Sequence, residues 1–104
     1  MSEIIMDSRL AEYDLGLLTG RPRHAITSAE LVSADEAEDP EAFMRRVTEA
    51  IHEYADMPGN TLIVSHAGVG RIFECARISK PLQEFYDIPG YPNASVVELD
   101  TSWL

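Results

Sequence analysis

From Asp39 onward the hydrophobic positions change period several times, and each change marks an element. Phe43, Val47, Ala50, Ile51 and Tyr54 recur at the spacing of one helical face, which predicts a helix from Pro40 to about Met57. Asp39 suits the N-cap, Pro40 the first helical position, and Glu41 the positive end of the dipole. Arg45, Arg46, Glu49 and Glu53 fall mostly elsewhere and are expected to pair along the surface. Pro58-Gly59-Asn60 stops the helix and turns the chain. Thr61 to Ser65 is then a continuous apolar run, the pattern of a parallel strand covered on both faces. Helical spacing returns from about Gly68 to Ser79, with Val69, Ile72, Phe73 and Ala76 as its buried stripe. Pro81 to Tyr86 reads as a short helix and Pro89 to Asn93 as a turn-rich loop. Ala94 to Leu99 alternates and is β-branched, so a final strand is expected there.

The first third is less regular. Ile4-Ile5-Met6 is a short apolar run read as a strand or the end of one. Asp7 to Gly20 has no clean period and is expected to be an extended loop with one helical turn. Thr27 followed by Glu30 is the spacing of a capping box at the start of a short helix, and Ser33 to Asp39 is an acidic connector. Helix, turn, strand, glycine turn, helix, loop, strand is α/β order, and residues 1–104 make one small domain. Ligands of such sheets bind beyond the carboxyl ends of the strands, where His66 falls.

Composition narrows the partners. The balance of 8 Lys and Arg against 18 Asp and Glu gives a net charge of −10, which argues against a general nucleic-acid or acidic-membrane surface. A small phosphorylated ligand is compatible with it, because one cluster of Arg, His and backbone N–H groups binds a phosphate on an acidic protein. Cys75 is the single cysteine, and its helical setting predicts an apolar filler. The start of the chain lacks a signal-peptide pattern and no apolar run approaches membrane-spanning length, so a cytoplasmic protein is expected. The three histidines have no ligand spacing, and the acidic run Asp35 to Glu41 lacks the glycine and spacing of a calcium loop. No metal and no cofactor is expected.

His66 is the first candidate for chemistry. It ends the apolar run and precedes Ala67-Gly68 at a helix start, where small residues let a ligand approach and the helix N-terminus favours an anion. A histidine there donates a charge-assisted hydrogen bond to that anion or attacks phosphorus. A buried histidine satisfied by backbone is the plainer alternative. His52, on the long helix, is read as surface, and Trp103 as docking on the core.

The run Leu62-Ile63-Val64-Ser65-His66-Ala67-Gly68-Val69-Gly70-Arg71 resembles the second motif of the histidine phosphatase superfamily, also called phosphoglycerate mutase-like. That motif is an apolar strand, Ser-His-Gly-Gly, and a helix often carrying an arginine where Arg71 stands; here Ala67 replaces the first glycine. Arg9-Leu10-Ala11-Glu12-Tyr13-Asp14-Leu15-Gly16-Leu17-Leu18-Thr19-Gly20 resembles the family's Glu segment, and Pro92-Asn93-Ala94-Ser95-Val96 its Pro-Asn-Ala-Ser segment. The three occur in the family's order and cover the chain from about Ile5 to Leu99.

The resemblance implies a partial three-layer α/β/α sandwich with a mostly parallel sheet. It makes His66 and Glu12 the catalytic residues, with His66, Ala67 and Gly68 binding phosphate, His66 stabilising its charge and Glu12 moving the proton. Apart from the resemblance, Arg9, Arg21, Arg23 and His24 are candidates for secondary anion contacts, with exposed loop charge the plainer reading of Arg21 and Arg23 and a solvated loop histidine that of His24. The family's N-terminal strand and Arg-His-Gly element, whose histidine is phosphorylated, is expected to be missing along with the central strand. Arg23-His24-Ala25 resembles it only superficially, because Gly20-Arg21-Pro22 precedes it in place of an apolar strand. Three readings follow. One is a phosphohydrolase or phosphomutase acting on a phosphate monoester. The second is an inactive remnant that binds a phosphorylated ligand or a protein, dimeric through an exposed sheet edge. The third is a chain that is the C-terminal part of a longer phosphatase.

Overall fold

A computed structural model describes residues 4–20, 26–33, 36–92 and 94–104. Its helices are α1 (Ser28–Ser33), α2 (Pro40–Ala55) and α3 (Ala67–Arg77), joined by 3₁₀ turns at Ser8–Leu10, Gly16–Leu18 and Leu82–Asp87. Local signals account for each start. The Asp39 carboxylate accepts from the Ala42 N–H with Pro40 at the first position of α2. Before α1, the Glu30 N–H donates to Thr27 Oγ1 at 3.1 Å and the Thr27 N–H donates back to Glu30 Oε1 at 3.4 Å, the reciprocal pair of a capping box. Helix α2 ends at Ala55, two residues earlier than its spacing predicts, and Gly59 takes φ +83° in the turn that follows. The expected helix over Pro81 to Tyr86 is a 3₁₀ turn.

Helix α2 buries Phe43, Val47, Ala50, Ile51 and Tyr54, the face its periodicity marks. Helix α3 buries Gly68, Val69, Ile72, Phe73 and Cys75 against it and against the Leu82–Asp87 turn. At the centre, Tyr13, Phe43 and Phe85 form an aromatic triangle with ring centroids 5.1, 5.1 and 5.5 Å apart, all tilted or edge-on. Trp103 packs on Phe73 at 5.2 Å, so the C-terminus docks on the core as expected. Cys75 is buried, and burial together with the Glu84 charge pushes its thiol above the ordinary range, which suits a packing residue.

The expected α/β sandwich is not what forms. Among the described residues there is no strand and no sheet, and the architecture is helical. Ile4 to Met6, Thr61 to Ser65 and Ala94 to Leu99, each read as a strand, run as irregular chain, the first before the helical elements, the second between α2 and α3, and the third after the last 3₁₀ turn. The reason is that a strand, unlike a helix, satisfies its N–H and C=O groups only on a neighbouring strand. Without a neighbour, the run from Thr61 offers the core only Ile63, while Leu62 and Val64 stand 66% and 87% exposed. Val96 is likewise 86% exposed. Among the described residues no helix is long and apolar enough to cross a membrane.

Tyr13 carries a measurable consequence of this packing. Its ring lies in the core and its hydroxyl donates to the Glu38 carbonyl. Burial, then the charges of Glu38, Asp39 and Asp14, push its phenol up to about 12. Below pH 10 the phenol is protonated in both folded and unfolded chains. Between about 10 and about 12 the unfolded chain loses this proton while the folded one keeps it, so stability falls as pH rises through that window. Tyr54 and Tyr91 shift in the same direction. Tyr13→Phe is expected to cost about 1 kcal/mol at pH 8, from the lost hydrogen bond, yet to decline less steeply from pH 10 to 12. Urea midpoints across that range test this, and an unchanged slope contradicts it.

Candidate functional site

Two sequence motifs meet at the start of α3. Glu12 and Gly68 lie 56 residues apart in the chain, and the Gly68 N–H donates to Glu12 Oε2 at 3.1 Å. The Tyr13 N–H donates to the other carboxylate oxygen at 2.9 Å. The first N–H groups of a helix have no partner within it and lie at the positive end of its dipole, so a carboxylate is well placed there. A β-carbon at position 68 would stand 2.1 Å from Glu12 Oε1, so a larger residue there would displace the carboxylate from this position. Ser65 Oγ fastens the same two segments by donating to the Leu10 carbonyl at 2.7 Å.

Beside this contact is a cavity of about 130 Å³, lined in part by Glu12, Tyr13, Gly68, Arg71, Phe85 and Tyr86. Arg71, on α3, donates from Nη1 to the carbonyls of Tyr86 and Ile88 at 3.1 and 2.7 Å, which fixes the wall opposite. On the same helix, Glu74 Oε1 accepts from the Tyr91 hydroxyl at 2.6 Å, and Glu74 also pairs with Arg77. Ala67 lines the same cavity. His66 is the cap residue of α3, with extended backbone and an exposed side chain that makes no capping hydrogen bond. Its side chain does not line the cavity. The structure thus brings Glu12, Ala67 and Gly68 together and leaves His66 at the rim.

Arg9 is engaged elsewhere. Its guanidinium pairs with Asp7 at 2.8 Å, Glu53 at 3.0 Å and Glu49 at 3.9 Å. Arg9, and then the Tyr54 hydroxyl, hold the Asp7 carboxyl well below the usual carboxylate range. Arg21, Arg23 and His24, the other expected anion contacts, lie outside the described residues.

The residue that sequence reasoning underrated is Arg46. The helical pattern assigns it to surface pairing, but its guanidinium makes a bidentate pair with Glu38 at 2.7 and 2.8 Å. It also donates to the carbonyls of Arg9, Ala11 and Glu12 at 2.8, 2.7 and 3.1 Å, and lies 4.6 Å from the Phe43 ring centroid. Three of these five acceptors are carbonyls of residues 9–12, so the one side chain fixes the backbone that carries Glu12. The one signal available in the sequence was three-residue spacing from Phe43, which puts Arg46 at the border of the buried face.

The model of the histidine phosphatase superfamily (branch 1) matches residues 2–102, nearly the whole chain, and the chain belongs to that superfamily. No curated protein and no solved structure matches it.

Arg46→Ala is expected to destabilise the chain by about 2 kcal/mol, the range of a charge-assisted hydrogen bond lost from a half-buried site. It should also speed amide exchange at Tyr13 and Gly68. Arg46→Lys should restore little, because an ammonium lacks the planar fork that reaches both Glu38 and the carbonyls. Exchange rates equal to those of the parent at these two amides contradict the clamp.

Proposed function

We propose that this chain binds phosphate monoesters at the start of α3 and serves their hydrolysis or transfer, as phosphatase- or mutase-type members of its superfamily do. The observation that carries this reading is the Glu12–Gly68 contact, which joins the family's acid–base segment to its histidine segment. In this reading His66 donates to the phosphoryl oxygens and stabilises the charge that develops on them. Glu12 takes or gives the proton at the leaving or attacking oxygen, a role worth roughly 10²–10⁴ in rate. Its carboxylate lies on the wall of the cavity where the ester's organic part would sit.

The test uses a chromogenic phosphate monoester with the full 104-residue chain. Turnover is expected to fall by roughly 10²-fold or more in Glu12→Gln and in His66→Ala. Turnover indifferent to His66→Ala overturns the role given to that residue.

A second reading, an interaction module formed by two copies of this chain, is favoured by the exposure of Leu62, Val64 and Val96. Two copies each carrying −10 repel one another, whereas contacts through these side chains attract. Salt screens the first and spares the second, so association should strengthen with ionic strength. Sedimentation velocity at 50 and 500 mM salt is expected to show a dimer favoured at the higher value and weakened by Val64→Ser. A monomer at both contradicts this reading.

A further inference from the structure

The Glu12 carboxylate occupies the place where a phosphate oxygen would bind. It accepts from the Gly68 N–H, one of the backbone donors that an anion at the start of α3 would use, and from the Tyr13 N–H. The contact is close, since a β-carbon at position 68 would meet Glu12 Oε1, the movable end of that side chain. It is also reversible. Glu12 is exposed at the surface, and the side chain needs only to rotate outward to reach water. Its backbone stays in place meanwhile, because Arg46 holds the Glu12 carbonyl and Ser65 the Leu10 carbonyl.

We propose that Glu12 is a resident anion of its own phosphate site, an autoinhibitory contact that must swing away before a phosphate group enters. The proposal rests on the phosphate-site reading above and adds its regulation. Two anions held against one N–H donor weaken each other's hydrogen bond and repel strongly at that distance. Ligand affinity is therefore reduced by the fraction of time the carboxylate is in place. The contact also discriminates among ligands. A dianionic phosphoryl group competes for the donor better than a monoanionic carboxylate or sulfate ester does, because charge strengthens its hydrogen bonds. After displacement, Glu12 remains tethered within reach of the bound group, where the acid–base role requires it.

The experiment is a titration with inorganic phosphate, followed at the Gly68 and Tyr13 amide resonances of the full chain and by calorimetry. It is run on the parent, Glu12→Ala, Glu12→Gln and His66→Ala; the dispersion of each spectrum confirms folding. Phosphate is expected to bind Glu12→Ala about tenfold or more tightly than the parent, the equivalent of one charge-assisted hydrogen bond released from competition. Glu12→Gln should fall between them, since a neutral amide oxygen holds the donor less firmly. His66→Ala should weaken binding. Equal affinity in the parent and in Glu12→Ala, with binding still weakened by His66→Ala, overturns the autoinhibition and leaves the phosphate site standing. Gly68 resonances unmoved by phosphate in every variant overturn the site itself.

Discussion

The Arg46 guanidinium is the interaction on which the rest of this structure depends. From the middle of α2 it gathers Glu38 on one side and the carbonyls of Arg9, Ala11 and Glu12 on the other. Those carbonyls belong to irregular chain, whose backbone groups have no ladder or helix to satisfy them. An exposed lysine would leave them to water. A planar fork with five donors, stacked on Phe43, replaces that water in one rigid geometry. Fixing residues 9–12 in this way sets Tyr13 into the aromatic triangle and brings Glu12 to the first turn of α3. Core and candidate site are thus built from the same segment, and a change at Arg46 is felt in both.

That segment is also where the family's signature and the packing coincide. The histidine phosphatase superfamily model spans residues 2–102, and within that span Glu12 and Gly68 meet through a backbone N–H. Convergence is nevertheless uneven. Glu12, Gly68 and Arg71 share one cavity, whereas His66 stands at its edge with an exposed side chain. A helix start supplies its donors through the backbone, so Gly68 is positioned by α3 itself. A side chain on the residue before the helix has only its rotamer to aim it, and nothing among the described residues caps or holds the imidazole through a side-chain cap bond.

The helical architecture has a related origin. Helices α2 and α3 each close their own hydrogen bonds, so each needs from its neighbours only an apolar face to cover. Phe43, Val47, Phe73 and Ile72 lie at the centre of those faces, almost wholly buried. The apolar run before His66 has strand composition, but its polar backbone needs a second chain segment in register. Its side chains consequently divide between one that packs, Ile63, and two that face solvent, Leu62 and Val64.

The sequence by itself determined what is local. The capping box at Thr27 and Glu30, the Asp39-Pro40 start of α2, the buried face of that helix, most of the α3 stripe and the small residues after His66 all follow from spacing of a few positions. Tertiary structure decided what depends on residues far apart. It turned Arg46 from a surface charge into a clamp and committed Arg9 to an acidic cluster. It left three strand-like runs without partners, and it set the Glu12 carboxylate on the Gly68 N–H. The physical reason is common to all four. A cap or an amphipathic face is satisfied within one or two turns of chain, whereas a strand, an ion pair or a carboxylate is satisfied only by whatever the fold brings to it.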